Sequence, residues 1–148
     1  LGPDLHILDG GPCALGIEST IVDLTGTRPA LLRPGSIDVD AITAITGPLG
    51  TSKTVAPGTL KSHYAPMTAL LLSTDPEADR VRLEATGRTV AVLSASLPRD
   101  HARTLYAELR RLDTLGVDIL IAERAVDEGL GQAINDRLRR AAHEFPTG

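Results

Sequence analysis

Cysteine, tryptophan and aromatic rings are nearly missing from this 148-residue chain, which has one Cys, no Trp and only Tyr64, Tyr106 and Phe145 as rings. Cys13 has no partner for an internal disulfide and no second thiol for a zinc pattern, so cysteine usage names no compartment beyond a lean to the cytoplasm. Excess basic charge is also lacking, with 15 Lys plus Arg against 19 Asp plus Glu and a net charge of -4. A nonspecific nucleic-acid binder needs a basic footprint and stacking platforms, and both are absent. The longest apolar runs, Thr68 to Leu72 and Val117 to Ala122, fall far short of the roughly 20 residues that span a bilayer, which excludes a membrane helix. Leu1-Gly2-Pro3-Asp4 offers neither the basic nor the apolar region of a signal peptide. The chain does not begin with Met, which suggests that a segment precedes it.

What remains is the composition of a soluble globular protein, 42% hydrophobic and 23% charged with 14 Gly and 10 Pro, long enough for one domain or two small ones. Leu5 to Leu8 reads as a strand that stops at Asp9-Gly10-Gly11-Pro12. Ser19 to Leu24 is rich in β-branched residues and ends in the turn cluster Thr25-Gly26-Thr27-Arg28-Pro29, with Ala30 to Arg33 as an antiparallel hairpin partner. Asp38 to Thr46 places Val39, Ile42 and Ile45 at helical spacing before Gly47. From Gly47 to Met67 periodicity disappears over about twenty residues, the length of a lid, binding segment or linker.

Beyond this loop, strands alternate with helices: strand 68–72, helix 76–85, strand 89–93, helix 100–115, strand 117–121 and helix 130–142. Such alternation predicts βαβ units and a small Rossmann-like parallel sheet. Asp100 is placed to cap the 100–115 helix, Leu105, Leu109 and Leu112 form its apolar stripe, and Gly116 stops it. Residues 1–47, by contrast, carry too little apolar surface to fold alone and read as the tail of a larger sheet domain. The expected division is 1–47, a linker over 48–67 and a Rossmann-like domain over 68–148.

Four constellations carry candidate chemistry. Glu18-Ser19-Thr20 sets two hydroxyls at a strand entrance, able to bond a charged ligand or simply to favour strand; the segment lacks the closing glycine of a nucleophile elbow. Arg33 ends a strand before Pro34-Gly35, where its fork of donors suits phosphate, the alternative being a solvated arginine. Gly47 to Thr54 imitates a phosphate-binding loop, but Ser52 stands in place of the second glycine, which leaves Lys53 and Thr54 as ordinary linker residues. In Ala56-Pro57-Gly58-Thr59-Leu60-Lys61-Ser62-His63-Tyr64-Ala65-Pro66 the ring of Tyr64 sits on a prestiffened loop, as a cap over a ligand or as packing between lobes. His6, His101 and His143 form no ligand spacing with His63.

Asp9-Gly10-Gly11-Pro12, Glu18 to Asp23, Leu32-Arg33-Pro34-Gly35, the Ala56 to Pro66 segment and Glu128-Gly129-Leu130-Gly131-Gln132-Ala133-Ile134-Asn135-Asp136-Arg137-Leu138, in this order, resemble one family. It is the two-domain Sua5 type of threonylcarbamoyl-AMP synthase. The resemblance implies an α/β chain, with the tail of a YrdC-like mixed-sheet catalytic domain followed by a linker and the Rossmann-like Sua5 domain. It also implies an enzyme that joins L-threonine, bicarbonate and ATP into threonylcarbamoyl-adenylate with loss of pyrophosphate. Mg²⁺ would accompany ATP, no protein-bound metal is implied, and the product would pass to a threonylcarbamoyl transferase machinery that modifies adenosine 37 of tRNA in the cytoplasm. Carried over, Ser19 contacts threonine, Arg33 contacts ATP or the adenylate, and Tyr64 covers the nucleotide. The basic residues that hold threonine and triphosphate in this family lie mainly in the N-terminal part of the catalytic domain, which has no counterpart here, so the chain alone is expected to be inactive.

Two other readings compete. One is a noncatalytic nucleotide-binding, regulatory or assembly module, although Gly129-Leu130-Gly131 lacks the third glycine of a dinucleotide fingerprint. The other is direct tRNA binding through Arg137, Arg139 and Arg140, for which a solvated helix face is the plainer reading.

Overall fold

The computed structural model describes residues 4–11, 13–57 and 65–142. Two sheets organise it. The first pairs β1 (Ile21–Asp23) antiparallel with β2 (Ala30–Arg33), and α1 (Val39–Thr46) follows. Asp38 caps α1 by accepting from the Asp40 amide, and Gly47 ends it at φ 75°. Gly50 then adds a parallel bridge to Ala30, so the start of the long loop is docked on the hairpin and the small sheet is mixed. Leu5 to Leu8 does not form the expected strand. Ile7 and Leu8 are exposed, and nothing pairs with this segment to satisfy a ladder among the described residues.

The second sheet is parallel, in the order β3 (Ala69–Ser73), β5 (Ile119–Glu123), β4 (Val90–Leu93). Its connections are α2 (Pro76–Glu84) between β3 and β4, and α3 (Pro98–Asp113) between β4 and β5; α4 (Leu130–Ala141) follows β5. The central strand is buried on both sides, and period-two alternation splits its side chains between two cores. Ile119 and Ile121 pack with Leu83 of α2, whereas Leu120 and Ala122 pack with Leu105, Leu109 and Leu112 of α3 and with Ile134 and Leu138 of α4. The expected α/β alternation and the leucine stripe of α3 are therefore present.

Element ends differ from expectation for local reasons. Asp100 does not cap α3, because Pro98 already sits in the first turn, where its missing N–H costs nothing; Leu97 is the cap residue and Asp100 lies inside the turn. The last strand begins two residues late, because Asp118 is tied to Thr89: its carboxylate accepts from the Thr89 amide at 2.7 Å and the Thr89 hydroxyl accepts from the Asp118 amide at 3.0 Å. At the β5–α4 junction, Asn135 brackets Ala125, accepting from its amide at 3.0 Å and donating to its carbonyl at 2.9 Å. Gly131 is required there, since a Cβ would lie 1.7 Å from the Val126 carbonyl oxygen.

Candidate functional site

Ser19 and Arg33 meet. Arg33 is 7% exposed, not the solvated arginine of the alternative reading. Its Nε donates to the Ser19 carbonyl at 3.1 Å, one terminal nitrogen donates to Ser19 Oγ at 3.3 Å, and the other donates to the Pro57 carbonyl at 2.8 Å. One planar fork thus joins the entrance of β1, the end of β2 and the segment that leads toward Tyr64. Ser19 itself is exposed and so presents its hydroxyl at the surface of this junction. Tyr64 and His63 lie outside the described residues.

Gly35 makes the junction possible. A Cβ there would stand 2.2 Å from the Thr20 amide nitrogen and 2.4 Å from the Ser19 carbonyl carbon, both backbone atoms that cannot swing aside. Thr20 adds a reciprocal link across the same gap, donating from Oγ1 to the Ile37 carbonyl and accepting from the Ile37 amide, each at 3.0 Å.

Sequence reasoning missed the anchor of the loop. Asp23 Oδ1 accepts from the Thr25 amide and hydroxyl, and Oδ2 accepts from the hydroxyls of Ser52 and Thr54. These bonds, led by that from Ser52, hold the carboxyl far below the usual aspartate range. Ser52 and Thr54 therefore dock the loop, which for Thr54 corrects its reading as an ordinary linker residue. The only signal in the sequence was their residue type, because the contact spans 29 and 31 positions.

A second missed network crosses from α4 to the hairpin. Glu18 pairs with Arg137 at 2.9 Å, and the Tyr106 hydroxyl of α3 donates to the Glu18 carboxylate at 3.2 Å. Burial pushes the Glu18 carboxyl up, but a bond from its own backbone, together with Arg137 and Tyr106, outweighs that and leaves it lowered. Tyr106 is pushed up by burial and by the facing Glu18 charge. Arg137, expected on a solvated basic face, is 4% exposed, and Arg140 pairs with Asp136 at 2.8 Å, so these arginines do not form a free cationic surface. A signal for this was present: Arg137 falls on the apolar stripe of Ile134, Leu138 and Ala141, where a cation must find a buried partner.

Among the described residues no three His, Cys, Asp or Glu side chains converge on a metal position, and no helix is long and apolar enough to cross a membrane.

Residues 32–143 match the family described as threonylcarbamoyl-AMP synthase, C-terminal domain. Threonylcarbamoyl-AMP synthases of Pyrococcus abyssi and Bacillus subtilis are 35% and 34% identical to the chain over 92% of its length. The chain spans about half the length of these relatives, 48% of each. The crystal structure of P. abyssi Sua5 complexed with L-threonine superimposes with a TM-score of 0.77 at 31% identity, covering 90% of this chain and 48% of that one. The structure of H234A/Y235A P. abyssi Sua5 gives a TM-score of 0.71 at 30% identity, covering 90% and 47%. With a matched family over most of its residues and the parallel sheet that family carries, the chain belongs to the threonylcarbamoyl-AMP synthases, by way of their C-terminal domain.

Proposed function

We propose that the chain forms the carboxyl-terminal half of an L-threonylcarbamoyladenylate synthase and contributes Ser19, Arg33 and Tyr64 to its substrate site. The supporting observation is the Arg33 junction, which gathers the exposed Ser19 hydroxyl and the Pro57 end of the Tyr64 segment around one buried guanidinium. In this reading Ser19 holds the threonine moiety, Arg33 faces ATP or the adenylate, and Tyr64 covers the nucleotide.

The chemistry asks for such an arrangement. Threonine amine and bicarbonate condense to a carbamate with loss of water, and a carbamate oxygen then attacks the α-phosphorus of ATP as pyrophosphate leaves. Positioning and cationic compensation of phosphate charge carry most of such a displacement. Arg33 supplies one permanent positive charge on a rigid fork. A segment closing over the product would keep water from the labile mixed anhydride. Magnesium enters with the ATP phosphates as part of the substrate. The adenylate would pass to a threonylcarbamoyl transferase step on tRNA in the cytoplasm.

The test is pyrophosphate release by the complete gene product that carries this chain, given ATP, threonine, bicarbonate and Mg²⁺, with each omitted in turn. Release that needs all three reactants, and falls on Arg33→Ala, supports the reading. Release indifferent to threonine or bicarbonate overturns it. The 148-residue chain alone is expected to stay at background.

A further inference from the structure

Arg137 is the one charged side chain of α4 that is buried. A guanidinium keeps its charge in a protein and must satisfy its donors there. Arg137 does so across the molecule. Its Nε donates to Glu18 Oε2 at 2.9 Å, one terminal nitrogen donates to the Pro34 carbonyl at 2.7 Å and to Asp136 Oδ2 at 2.9 Å, and the other reaches the Glu18 carbonyl at 3.5 Å.

The partners are the residues that flank the site. Glu18 precedes Ser19, and Pro34 follows Arg33. Arg33 spans the gap between the two backbone segments through its bonds to Ser19, and Arg137 spans it again through Glu18 and Pro34. Tyr106 fixes the Glu18 carboxylate from α3, at 3.2 and 3.3 Å to its two oxygens. A simple staple between lobes needs only one grip, whereas this fork grips the segment that leads into β1 and the residue that follows β2, at the positions next to Ser19 and Arg33.

We infer that Arg137 is a positioning residue: through Glu18 and Pro34 it sets the separation between the Ser19 hydroxyl and the Arg33 guanidinium. The inference rests on the reading that these two groups hold the amino acid and the nucleotide. A side chain of the carboxyl-terminal domain would then tune a site it does not touch, and relative motion of the two lobes would be felt as a change in substrate alignment.

Two variants of the complete gene product test this. Arg137→Lys keeps the charge and loses the planar fork; Glu18→Gln keeps an acceptor and loses the charge. Steady-state kinetics are run at a temperature where melting curves show each protein folded. Arg137→Lys is expected to lower kcat/KM for threonine about tenfold, with Glu18→Gln acting in the same direction and the double variant falling short of the product of the two, as groups acting in one network do. Kinetic constants unchanged in both variants, with only the melting temperature lowered, would make Arg137 a staple and overturn the inference. Should Arg137→Lys not fold, Glu18→Gln decides by the same criterion. An inactive wild type would instead sink the functional reading and this inference with it.

Discussion

Asp113, the last residue of α3, accepts from the backbone amides of Met67 and Thr68 at 3.0 and 2.8 Å, so the helix that leads into the central strand also clamps the chain entering the first parallel strand. Burial raises its carboxyl pKa, but the amide bonds of Thr68 and Met67 outweigh this and leave it lowered. Asp113→Ala should cost about 1–2 kcal/mol, as loss of charge-assisted hydrogen bonds does, and shift the urea midpoint with an unchanged slope. Because the folded pKa lies below the unfolded one near 3.9, this contribution is complete above that value and is lost as pH falls through the folded pKa. A variant as stable as wild type at neutral pH would show the clamp to be idle.

His101 predicts a second pH dependence, in a different window. Its ring is 3% exposed, Nδ1 accepts from the Ser96 amide at 3.2 Å, and Nε2 is buried with no hydrogen-bond partner among the described residues. Burial pushes its pKa down, against an opposing pull from Glu123 at the end of β5. The unfolded chain therefore binds a proton near pH 6.5 that the folded chain refuses, so stability should fall as pH drops below about 6.5 until the folded ring also titrates. His101→Asn keeps an acceptor for Ser96 and cannot titrate in this range. Urea midpoints at about pH 7.5 and 5.5 should differ for wild type and converge for the variant; equal pH dependence in both proteins would assign the effect elsewhere.

These features differ in how far the sequence disclosed them. Leu105, Leu109 and Leu112 were legible because helical periodicity is local, and all three are buried. Ser19 and Arg33 were legible as candidates by residue type and position, yet nothing in the sequence said that they touch. The Glu18–Arg137 pair spans 119 positions, and the Asp23 anchor joins a strand to a loop without periodicity. Such contacts depend on how the elements pack, which propensity does not encode. The supposed Leu5 to Leu8 strand fails for the same reason in reverse, since an apolar run becomes a strand only when a neighbour accepts its ladder.

Gly35 and Gly131 separate stability from site geometry. Both positions exclude a Cβ because of backbone atoms, 2.2 Å away at the Thr20 amide for Gly35 and 1.7 Å away at the Val126 carbonyl for Gly131. Gly131→Ala should loosen the β5–α4 junction, where the atoms nearest the added Cβ belong to Val126 and Ala125 rather than to Ser19 or Thr20, and cost about 1–3 kcal/mol, the usual range for overpacking. Gly35→Ala should cost a similar amount and, in the complete gene product, also weaken threonine binding, because relief of the clash must displace Ser19 or Thr20. Calorimetric titration of threonine distinguishes them, and equal affinities in the two variants would contradict the placement of Ser19 in the site.

The last prediction concerns the autonomy of residues 68–148. Their sheet has a fully buried central strand and is covered by α2 on one face and by α3 and α4 on the other, with Leu120 and Ile121 at 0% exposure. That core draws little from residues 1–47, chiefly the partly buried Ile17. Excision strips Arg137 of Glu18 and the Pro34 carbonyl and Tyr106 of Glu18, but the cut also opens both side chains to water and leaves Arg137 its bond to Asp136, so the penalty stays modest. The isolated piece should therefore melt cooperatively, below the parent chain, and its amides from Ile119 to Ala122 should be the slowest to exchange. Residues 1–47, whose one helix among the described residues buries no side chain, should exchange freely when isolated. Hydrogen exchange on the two separated pieces decides the matter: protection in the 1–47 piece, or none along β5 in the other, would show that neither lobe folds as described without its neighbour.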